Sequence, residues 1–277
     1  MNLRNTTVIV TGASSGIGAA TALELARTGA RLVLLARTQA KLEALSLQIR
    51  AIGAEAHIYA VDLGDQGAVS SVHARICQDL GPPDVIVHAA GLGRWLWLEE
   101  TAPAEVLEML ASPFMGALWL TQACLPGMLE RGSGRIVFVG SPIAWMPWPG
   151  ANVYAISRWA LRGLFEALRV DLARTNLGVT MIVPGQVRSP YFDHNPGVRE
   201  RFPSLGKLVR VLEVEEVARA VRRAIERDST LVALPWLIGL LLRVSTFAPW
   251  FTHRLAVWSG VKHPKAGSEK RKVQREK

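Results

Sequence analysis

The 277-residue chain has little cysteine. It contains only Cys77 and Cys124, and neither has the spacing of a metal site or a redox pair. The six histidines show no paired ligand spacing either, so we predict no metal ion. This usage argues against a disulfide-stabilised secreted domain and favours a reducing compartment. The first residues lead directly into a strand-like run, which predicts no signal peptide and a cytoplasmic protein.

Toward its C-terminus the chain lacks a long uncharged run. The longest one there, Ser229–Leu242, has 14 residues, whereas a helix that spans a bilayer needs about 20. The net charge is +9, and the tail at 262–277 contributes +5 of it. Basicity is therefore mostly a property of the tail. It argues only weakly for nucleic acid, so we expect no specific nucleic-acid partner, and an acidic membrane surface suits it at least as well.

Strand-like and helix-like segments alternate over the first 234 residues. The strands are nearly continuous apolar runs, which is typical of a parallel sheet covered on both faces. We therefore predict an α/β fold with one doubly wound parallel sheet over residues 1–235. Two long helices are expected at Pro103–Leu129, bent at Pro113, and at Val153–Arg174. Strands are predicted at Thr6–Thr11, Arg31–Ala36, Glu55–Val61, Asp84–Ala89, Arg135–Gly140, Val179–Val183 and Thr230–Leu234.

The loop after the first strand reads TGASSGIG, from Thr11 to Gly18, and opens a helix. Glycines let the backbone pass close to a pyrophosphate, and the helix N-terminus supplies N–H groups and a positive dipole end. The strand before it and the helix after it give this motif the context of a dinucleotide site; a turn without ligand is the alternative. The predicted contacts are Gly12, Ser14, Ser15, Gly16, Ile17 and Gly18.

The residue after the second strand indicates the choice of cofactor. Folds that select NAD place an acidic residue there, whereas this chain has Arg37, whose guanidinium suits a 2′-phosphate. We predict NADP over NAD, with a solvated loop cation as the alternative. At the end of the third strand, Asp62 is placed to accept from the adenine amino group, to cap the helix near Asp65, or both.

Three polar side chains converge further along the chain. Ser141 follows a strand, Tyr154 comes thirteen residues later on the first turn of a helix, and Arg158 lies one helical turn beyond it on the same face. A hydroxyl, a phenol and a cation beside a sheet edge can move a proton onto or off an oxygen. We predict these three as catalytic residues.

Taken together, these features resemble the short-chain dehydrogenase/reductase family over about residues 5–235. Beyond the glycine loop and the Ser–Tyr spacing, Asp62-Leu63 is similar to its adenine-contact pair. The segment 88–91, HAAG, stands where the family usually has NNAG, and 184–187 with Ser189 is similar to the segment around the nicotinamide. The resemblance implies a Rossmann-like fold and further cofactor contacts at Leu63, Ala90, Gly91, Arg158, Pro184, Gly185 and Val187.

The resemblance also implies a reaction. Hydride passes between nicotinamide C4 and a carbonyl carbon, while Tyr154 protonates the carbonyl oxygen and Ser141 hydrogen-bonds it. The family often pairs subunits through two long helices, so we expect a homodimer or homotetramer.

Two positions depart from the family pattern. The family's lysine is here Arg158, which keeps the charge but cannot release a proton near neutral pH. The family's asparagine aligns with Pro113, and proline frees a carbonyl one turn earlier, that of Met109. We hypothesise that a relay water could still bind there; an unbroken helix over 109–116 would contradict this. Two functions stay open: an NADP-dependent oxidoreductase, or a weakly active or inactive nucleotide-binding scaffold or sensor.

Aromatic residues follow the strands on the substrate side. Trp95, Trp97, Trp145 and Trp148 lie in loops at carboxyl strand ends, where ligands bind in such sheets. Tyr191 belongs to 188–212, which matches the family's mobile lid and includes Phe192 and Phe202. We predict substrate contacts from Trp95, Trp145, Trp148 and Tyr191 and a lipophilic carbonyl or alcohol substrate, such as a steroid-, retinoid- or acyl-like molecule. The alternative is that two or more indoles pack in the core or a subunit contact.

The C-terminal segment 236–261 is apolar with a few interrupting cations. We predict an interfacial helix pair with tryptophan anchors, followed by a basic, disordered tail at 262–277. This predicts peripheral contact with the inner face of a membrane through 236–277. The alternative is a helix packed over the substrate cleft or a partner subunit.

Overall fold

The structure, a computed structural model, describes residues 1–191, 195 and 197–264. Most of the predicted basic tail therefore lies outside the described residues, as does Phe192 of the predicted lid. The secondary structure follows the predicted alternation of strands and helices. The helices are α1 Gly16–Ala26, α2 Gln39–Ala51, α3 Gln66–Leu80, α4 Pro103–Leu110, α5 Gly116–Arg131, α6 Asn152–Asp171, α7 Val198–Arg201, α8 Val214–Arg227, α9 Trp236–Phe247 and α10 Pro249–Ser259.

In the described part of the chain, the central sheet has seven strands in the order β3-β2-β1-β4-β5-β6-β9, and all of them run parallel. This confirms the predicted doubly wound α/β fold. A short parallel pair, β7 with β8, lies beside it. The strands are β1 Thr7–Thr11, β2 Arg31–Ala36, β3 Ala56–Ala60, β4 Val85–His88, β5 Gly134–Val139, β6 Leu177–Pro184, β7 Val187–Arg188, β8 Leu212–Glu213 and β9 Leu231–Leu234.

The core consists of two layers on opposite faces of the sheet. Side chains alternate along a strand, so Val8 and Val10 pack with α1, α2 and α8, whereas Ile9 packs with α3, α5 and α6. All three are fully buried. The chain changes direction between the neighbouring strands β1 and β4, which leaves a crevice at their carboxyl ends.

The predicted long helix is interrupted at Pro113. A π-helical turn, Ala111–Met115, joins α4 to α5, and the N–H of Gly116 bonds to the carbonyl of Ala111. Proline lacks the N–H that an α-helix would use at this point, so the turn widens to keep its other bonds. The helix over 109–116 is therefore interrupted. An unbroken helix there would have contradicted the hypothesis of a relay water near Met109, so that hypothesis stays a prediction.

The C-terminal helices α9 and α10 pack back onto the body of the domain. The hydroxyl of Ser245 donates to the carbonyl oxygen of Trp145 at 2.8 Å, and the hydroxyl of Thr252 donates to Ser245 at 3.4 Å. Ile238 and Leu242 are buried in the core layer that contains Phe165. Across the described residues, every helix is too short or too polar to cross a membrane.

Core packing predicts a large difference between two phenylalanine variants. Phe165 is 1% exposed in the core, whereas Phe247 is 88% exposed on α9. Phe165→Ala leaves a cavity and should lower the free energy of unfolding by about 3–5 kcal/mol. Phe247→Ala, the same change at the surface, should alter it by about 0.5 kcal/mol or less. Urea unfolding measures both, and equal losses would contradict the described core.

Candidate active site

One cleft collects nearly all of the predicted site residues. It opens at the carboxyl edge of the sheet and has a volume of about 790 Å³, within the usual range of small-molecule sites. Because all the strands run parallel, loops from distant parts of the chain meet at this edge. The predicted residues that line the cleft are Gly12, Ser14, Ser15, Gly16, Ile17, Arg37, Asp62, Leu63, Ala90, Gly91, Trp95, Ser141, Trp148, Tyr154, Arg158, Pro184, Gly185, Val187 and Tyr191.

Two predicted residues do not line the cleft. A Cβ at Gly18 would lie 2.7 Å from the carbonyl carbon of Gly12, so this glycine allows α1 to pack against the loop. Trp145 is 9% exposed and belongs to the core, with the guanidinium of Arg162 4.2 Å from its ring. Trp145 therefore has the position of the alternative from the sequence, an indole packed in the core. Trp97 also lies elsewhere, against His263 at 4.5 Å.

The glycine loop has the geometry of an anion site. Gly12 and Gly16 have φ angles of +65° and +56°, a region that favours glycine. A Cβ at Gly12 would lie 2.7 Å from the backbone nitrogen of Ala90. Ser15 precedes α1 without a side-chain capping bond among the described residues. The first N–H groups of α1 are therefore available to a phosphate beside the cleft.

The part of the cleft beside the end of β2 is basic. Arg37 is exposed after β2, and no carboxylate in the described part of the chain pairs with it. Lys41 lines the same region. Asp62 accepts from the N–H of Gly64 at 2.9 Å, while Asp65 caps α3 by accepting from the N–H of Ala68 at 3.0 Å. The cap is therefore Asp65, and Asp62 lines the cleft.

The three predicted catalytic residues come together in the cleft. Ser141 follows β5, and its hydroxyl oxygen accepts from the N–H of Ile143 at 3.4 Å. Tyr154 and Arg158 lie one turn apart on α6, only 8% and 6% exposed. The guanidinium carbon of Arg158 is 5.1 Å from the centroid of the Tyr154 ring. The cation and the phenol thus face the same part of the cleft.

Arg158 is buried with part of its hydrogen-bonding capacity unused. Its Nε has no acceptor among the described residues, and a buried donor without a partner is costly. A Cβ at Gly91 would lie 2.5 Å from Nη2 of Arg158, so this glycine makes room for the guanidinium. A cationic donor lining a cleft beside a phosphate-binding loop suits ribose hydroxyls. These residues thus fit a nicotinamide dinucleotide.

A second phenol lies beside the first. The ring of Tyr191 is 6.2 Å from that of Tyr154, and its hydroxyl donates to the carbonyl oxygen of Gly93 at 3.3 Å. Burial, followed by the charge of neighbouring Tyr154, raises the pKa of Tyr191 well above its usual value, although the charge of Arg158 opposes this. Tyr191 therefore stays protonated, and its hydroxyl proton ties the lid segment to the loop at Gly93.

Two residues that hold the cleft together were not found from the sequence. Asn195 accepts from the N–H of Gly93 at 2.8 Å and donates to the carbonyl oxygen of Tyr191 at 2.6 Å. Arg201 donates to the carbonyl oxygen of Trp95 at 2.7 Å. Each joins the lid segment to a loop about a hundred positions earlier. Such contacts leave no local pattern in the sequence.

The substrate end of the cleft is apolar. Trp95 stacks between several rings, with Phe202 at 5.7 Å and Trp148 at 5.9 Å between centroids. The inner faces of α9 and α10 add Leu237, Leu241, Leu255 and Ala256 to the lining of the cleft. The C-terminal helices thus pack over the cleft, which was one of the two alternatives from the sequence.

A buried histidine supports the floor of the site. His88 ends β4 at 4% exposure, and its ring stacks on Phe138 with the centroids 5.0 Å apart. Its Nε2 lies 2.9 Å from the hydroxyl of Thr121. Burial lowers the pKa of His88 from 6.5 to about 3. The ring is therefore neutral at physiological pH.

Comparisons with known proteins agree with this geometry. A family model described as short chain dehydrogenase matches residues 6–196. The 11-beta-hydroxysteroid dehydrogenase-like 4A of Arabidopsis thaliana is 30% identical over 246 residues, covering 87% of this chain and 80% of that protein.

Solved structures show the same fold. A metagenomic short-chain oxidoreductase in complex with NADP has a TM-score of 0.72 at 29% identity, covering 84% of this chain and 97% of that one. A short chain dehydrogenase/reductase from Burkholderia phymatum, in complex with NAD, has a TM-score of 0.81 at 22% identity, covering 91% and 96%.

The neutral His88 predicts a dependence of stability on pH. Its folded pKa of about 3 lies below the value of 6.5 for a free histidine, so the unfolded state binds more protons between these values. Stability due to this group is complete above pH 6.5 and falls as the pH falls, by at most about 1.4 kcal/mol per pH unit.

His88→Asn should reduce that slope between pH 7 and pH 5, as measured by urea unfolding. All other titrating groups are shared by the two proteins, so the difference in slope isolates His88. Parallel slopes would contradict the neutral, desolvated ring.

Proposed function

The chain belongs to the short-chain dehydrogenase family, and we propose that it is an NADP-dependent oxidoreductase acting on a lipophilic carbonyl or alcohol. One observation carries the proposal: the glycine loop, the group Ser141, Tyr154 and Arg158, and an aromatic wall all line a single cleft. A binding loop without the proton-transfer group would indicate only a nucleotide-binding protein. The combination fits a reaction at a carbon–oxygen bond.

A bound nicotinamide cofactor supplies the hydride for reduction or accepts it in oxidation. In reduction, the Tyr154 phenol donates its proton to the substrate oxygen; in oxidation, its phenolate takes the proton back. Ser141 already accepts a hydrogen bond from the N–H of Ile143, so its own hydroxyl proton is free to bind the same oxygen. The two hydroxyls thereby orient the substrate carbonyl.

Arg158 has two tasks in this proposal. Its charge stabilises the tyrosinate that forms when Tyr154 gives up its proton, and its donors hold ribose hydroxyls of the cofactor. Because a guanidinium does not deprotonate near neutral pH, Arg158 does not relay the proton that restores the Tyr154 phenol after a reduction. We propose that this proton arrives by way of the π turn, where Ser112 lines the cleft and Pro113 has no N–H to donate to the carbonyl of Met109.

The preference for NADP rests on charge. Arg37 and Lys41 line the cleft after β2, where an NAD-selecting site would place a carboxylate. A planar guanidinium without a carboxylate partner suits a 2′-phosphate. The metagenomic oxidoreductase, which binds NADP, supports this choice.

The substrate class rests on the opposite end of the cleft. Trp95, Trp148 and Phe202 present flat apolar surfaces, and leucines from α9 and α10 line the same cleft. Such a wall suits a rigid or extended lipophilic molecule of steroid, retinoid or acyl type. The similarity to a hydroxysteroid dehydrogenase-like protein supports the same class.

A nucleotide-binding scaffold or sensor is the second candidate. It is favoured by the arginine at the lysine position and by the Tyr191 phenol packed beside Tyr154. The two candidates differ in whether bound NADPH is consumed, so turnover separates them.

Removal of the Tyr154 phenol tests the reaction. Tyr154→Phe should lower ketone or aldehyde reduction by about 10²–10⁴-fold while NADPH binding, followed by fluorescence, is kept. Tyr59→Phe is the matched control, since Tyr59 bonds to Asp79 and does not line the cleft; it should keep its activity. Arg158→Lys should stay active.

Two results together would refute the proposed enzymatic activity and favour the scaffold. The wild-type protein would bind NADPH but reduce no member of a panel of hydrophobic ketones and aldehydes, and Arg158→Lys would gain activity.

Exchange of charge at Arg37 tests the cofactor. Arg37→Asp should weaken NADPH binding by about 10–100-fold, the range of one or two charge-assisted bonds, and leave NADH binding equal or stronger. Arg174→Asp removes an exposed arginine that does not line the cleft and should change neither affinity. An unchanged ratio of NADPH to NADH affinity in Arg37→Asp would contradict the assignment.

A further inference from the structure

The helices α9 and α10 have two unlike faces. Their inner face lines the cleft and the core, whereas their outer face carries large apolar side chains that contact solvent. We call this outer face, with its neighbouring cations, the α9–α10 surface. Its exposed apolar members are Trp236, Leu240, Phe247, Trp250, Phe251, Val257 and Trp258. Monomeric soluble proteins seldom expose so many large apolar groups together, and such patches mark interaction sites.

The charge around this face has one sign. The sequence contains no acidic residue between Asp228 and Glu269. Arg243, Arg254 and Lys262 are exposed within this stretch. Beyond the described residues, the sequence of 265–277 adds six lysines and arginines against two glutamates. The apolar face is thus accompanied by cations from its own segment and by no carboxylate from that segment.

This charge distinguishes between two possible partners. A second copy of the chain, bound through the same face, would bring identical cations together across a two-fold axis. An anionic lipid surface would instead pair with each of them. Tryptophan and phenylalanine beside arginine are also the composition of helices that lie in the membrane interface. Glu99 and Glu100 of the neighbouring loop are engaged by His263 and Arg201.

The position of the surface relative to the cleft agrees with a lipid partner. Leu208 lines the cleft and is 78% exposed, so it marks the mouth. Its turn, Ser204–Leu208, is tied to the end of α10 by the hydroxyl of Ser204, which donates to the carbonyl oxygen of Ser259 at 3.1 Å. The mouth therefore lies next to the α9–α10 surface.

We propose that the α9–α10 surface docks on an anionic membrane. The aromatic side chains enter the boundary between headgroups and acyl chains, and Arg243, Arg254 and Lys262 lie near the lipid phosphates. Neither helix crosses the bilayer. The docking does not depend on the proposed reaction, because it uses the outer face of the helices and the cleft uses the inner face.

Sedimentation with lipid vesicles tests the docking. The full-length chain should sediment with vesicles of phosphatidylcholine and phosphatidylserine, less with phosphatidylcholine alone, and less again in high salt. The triple variant Phe247→Ala, Trp250→Ala, Trp258→Ala should lose at least about tenfold in binding, because it removes three of the apolar side chains that enter the membrane boundary. Arg243→Gln with Arg254→Gln should weaken binding only to the anionic vesicles.

The matched control is Leu47→Ala, Leu107→Ala, Val170→Ala, which removes apolar groups of similar exposure elsewhere on the molecule; it should bind like wild type. NADPH binding, measured on every variant, verifies the fold and separates this proposal from the proposed function. Equal sedimentation of wild type and the aromatic triple variant would overturn the docking. A dimer in light scattering that dissociates in that variant, without vesicle binding by wild type, would overturn it in favour of a second copy.

Discussion

The parallel arrangement of every strand in the central sheet is the constraint on which the rest of the molecule depends. It places the carboxyl ends of β1, β4, β5 and β6 on one edge, so the loops that follow them face a common crevice. The same arrangement requires helices on both faces, because both faces of the sheet are apolar. The long connections thereby supply the walls of the cleft, including α6 with Tyr154 and Arg158.

Within that crevice, the buried guanidinium of Arg158 shapes its surroundings. It fills the space that a Cβ at residue 91 would take, and it lies near the ring of Tyr154. A buried cation is tolerated when charge or hydrogen bonds compensate it. In the proposed reaction, the ribose hydroxyls of the cofactor would supply acceptors for the guanidinium. Arginine in place of lysine would then keep the positive charge and change the path of the proton.

The C-terminal helices α9 and α10 contribute apolar side chains both to the cleft and to the molecular surface. Their inner leucines line the cleft together with Trp95 and Trp148, while their outer aromatic residues face solvent. The sequence interpretation treated a cover over the cleft and a membrane contact as alternatives. In the structure, the inner face of the helix pair lines the cleft, and the outer face carries the exposed aromatic side chains on which the proposed membrane contact rests.

The sequence by itself determined the order of strands and helices, the glycine loop and the triad of Ser141, Tyr154 and Arg158, because these follow from local periodicity and short spacing. Only the tertiary structure decided which indoles enter the cleft: Trp95 and Trp148 do, whereas Trp145 packs in the core under α9. It also brought Asn195 and Arg201 to their partners. Such contacts join residues about a hundred positions apart, and the direction of a side chain there depends on packing that no local pattern encodes.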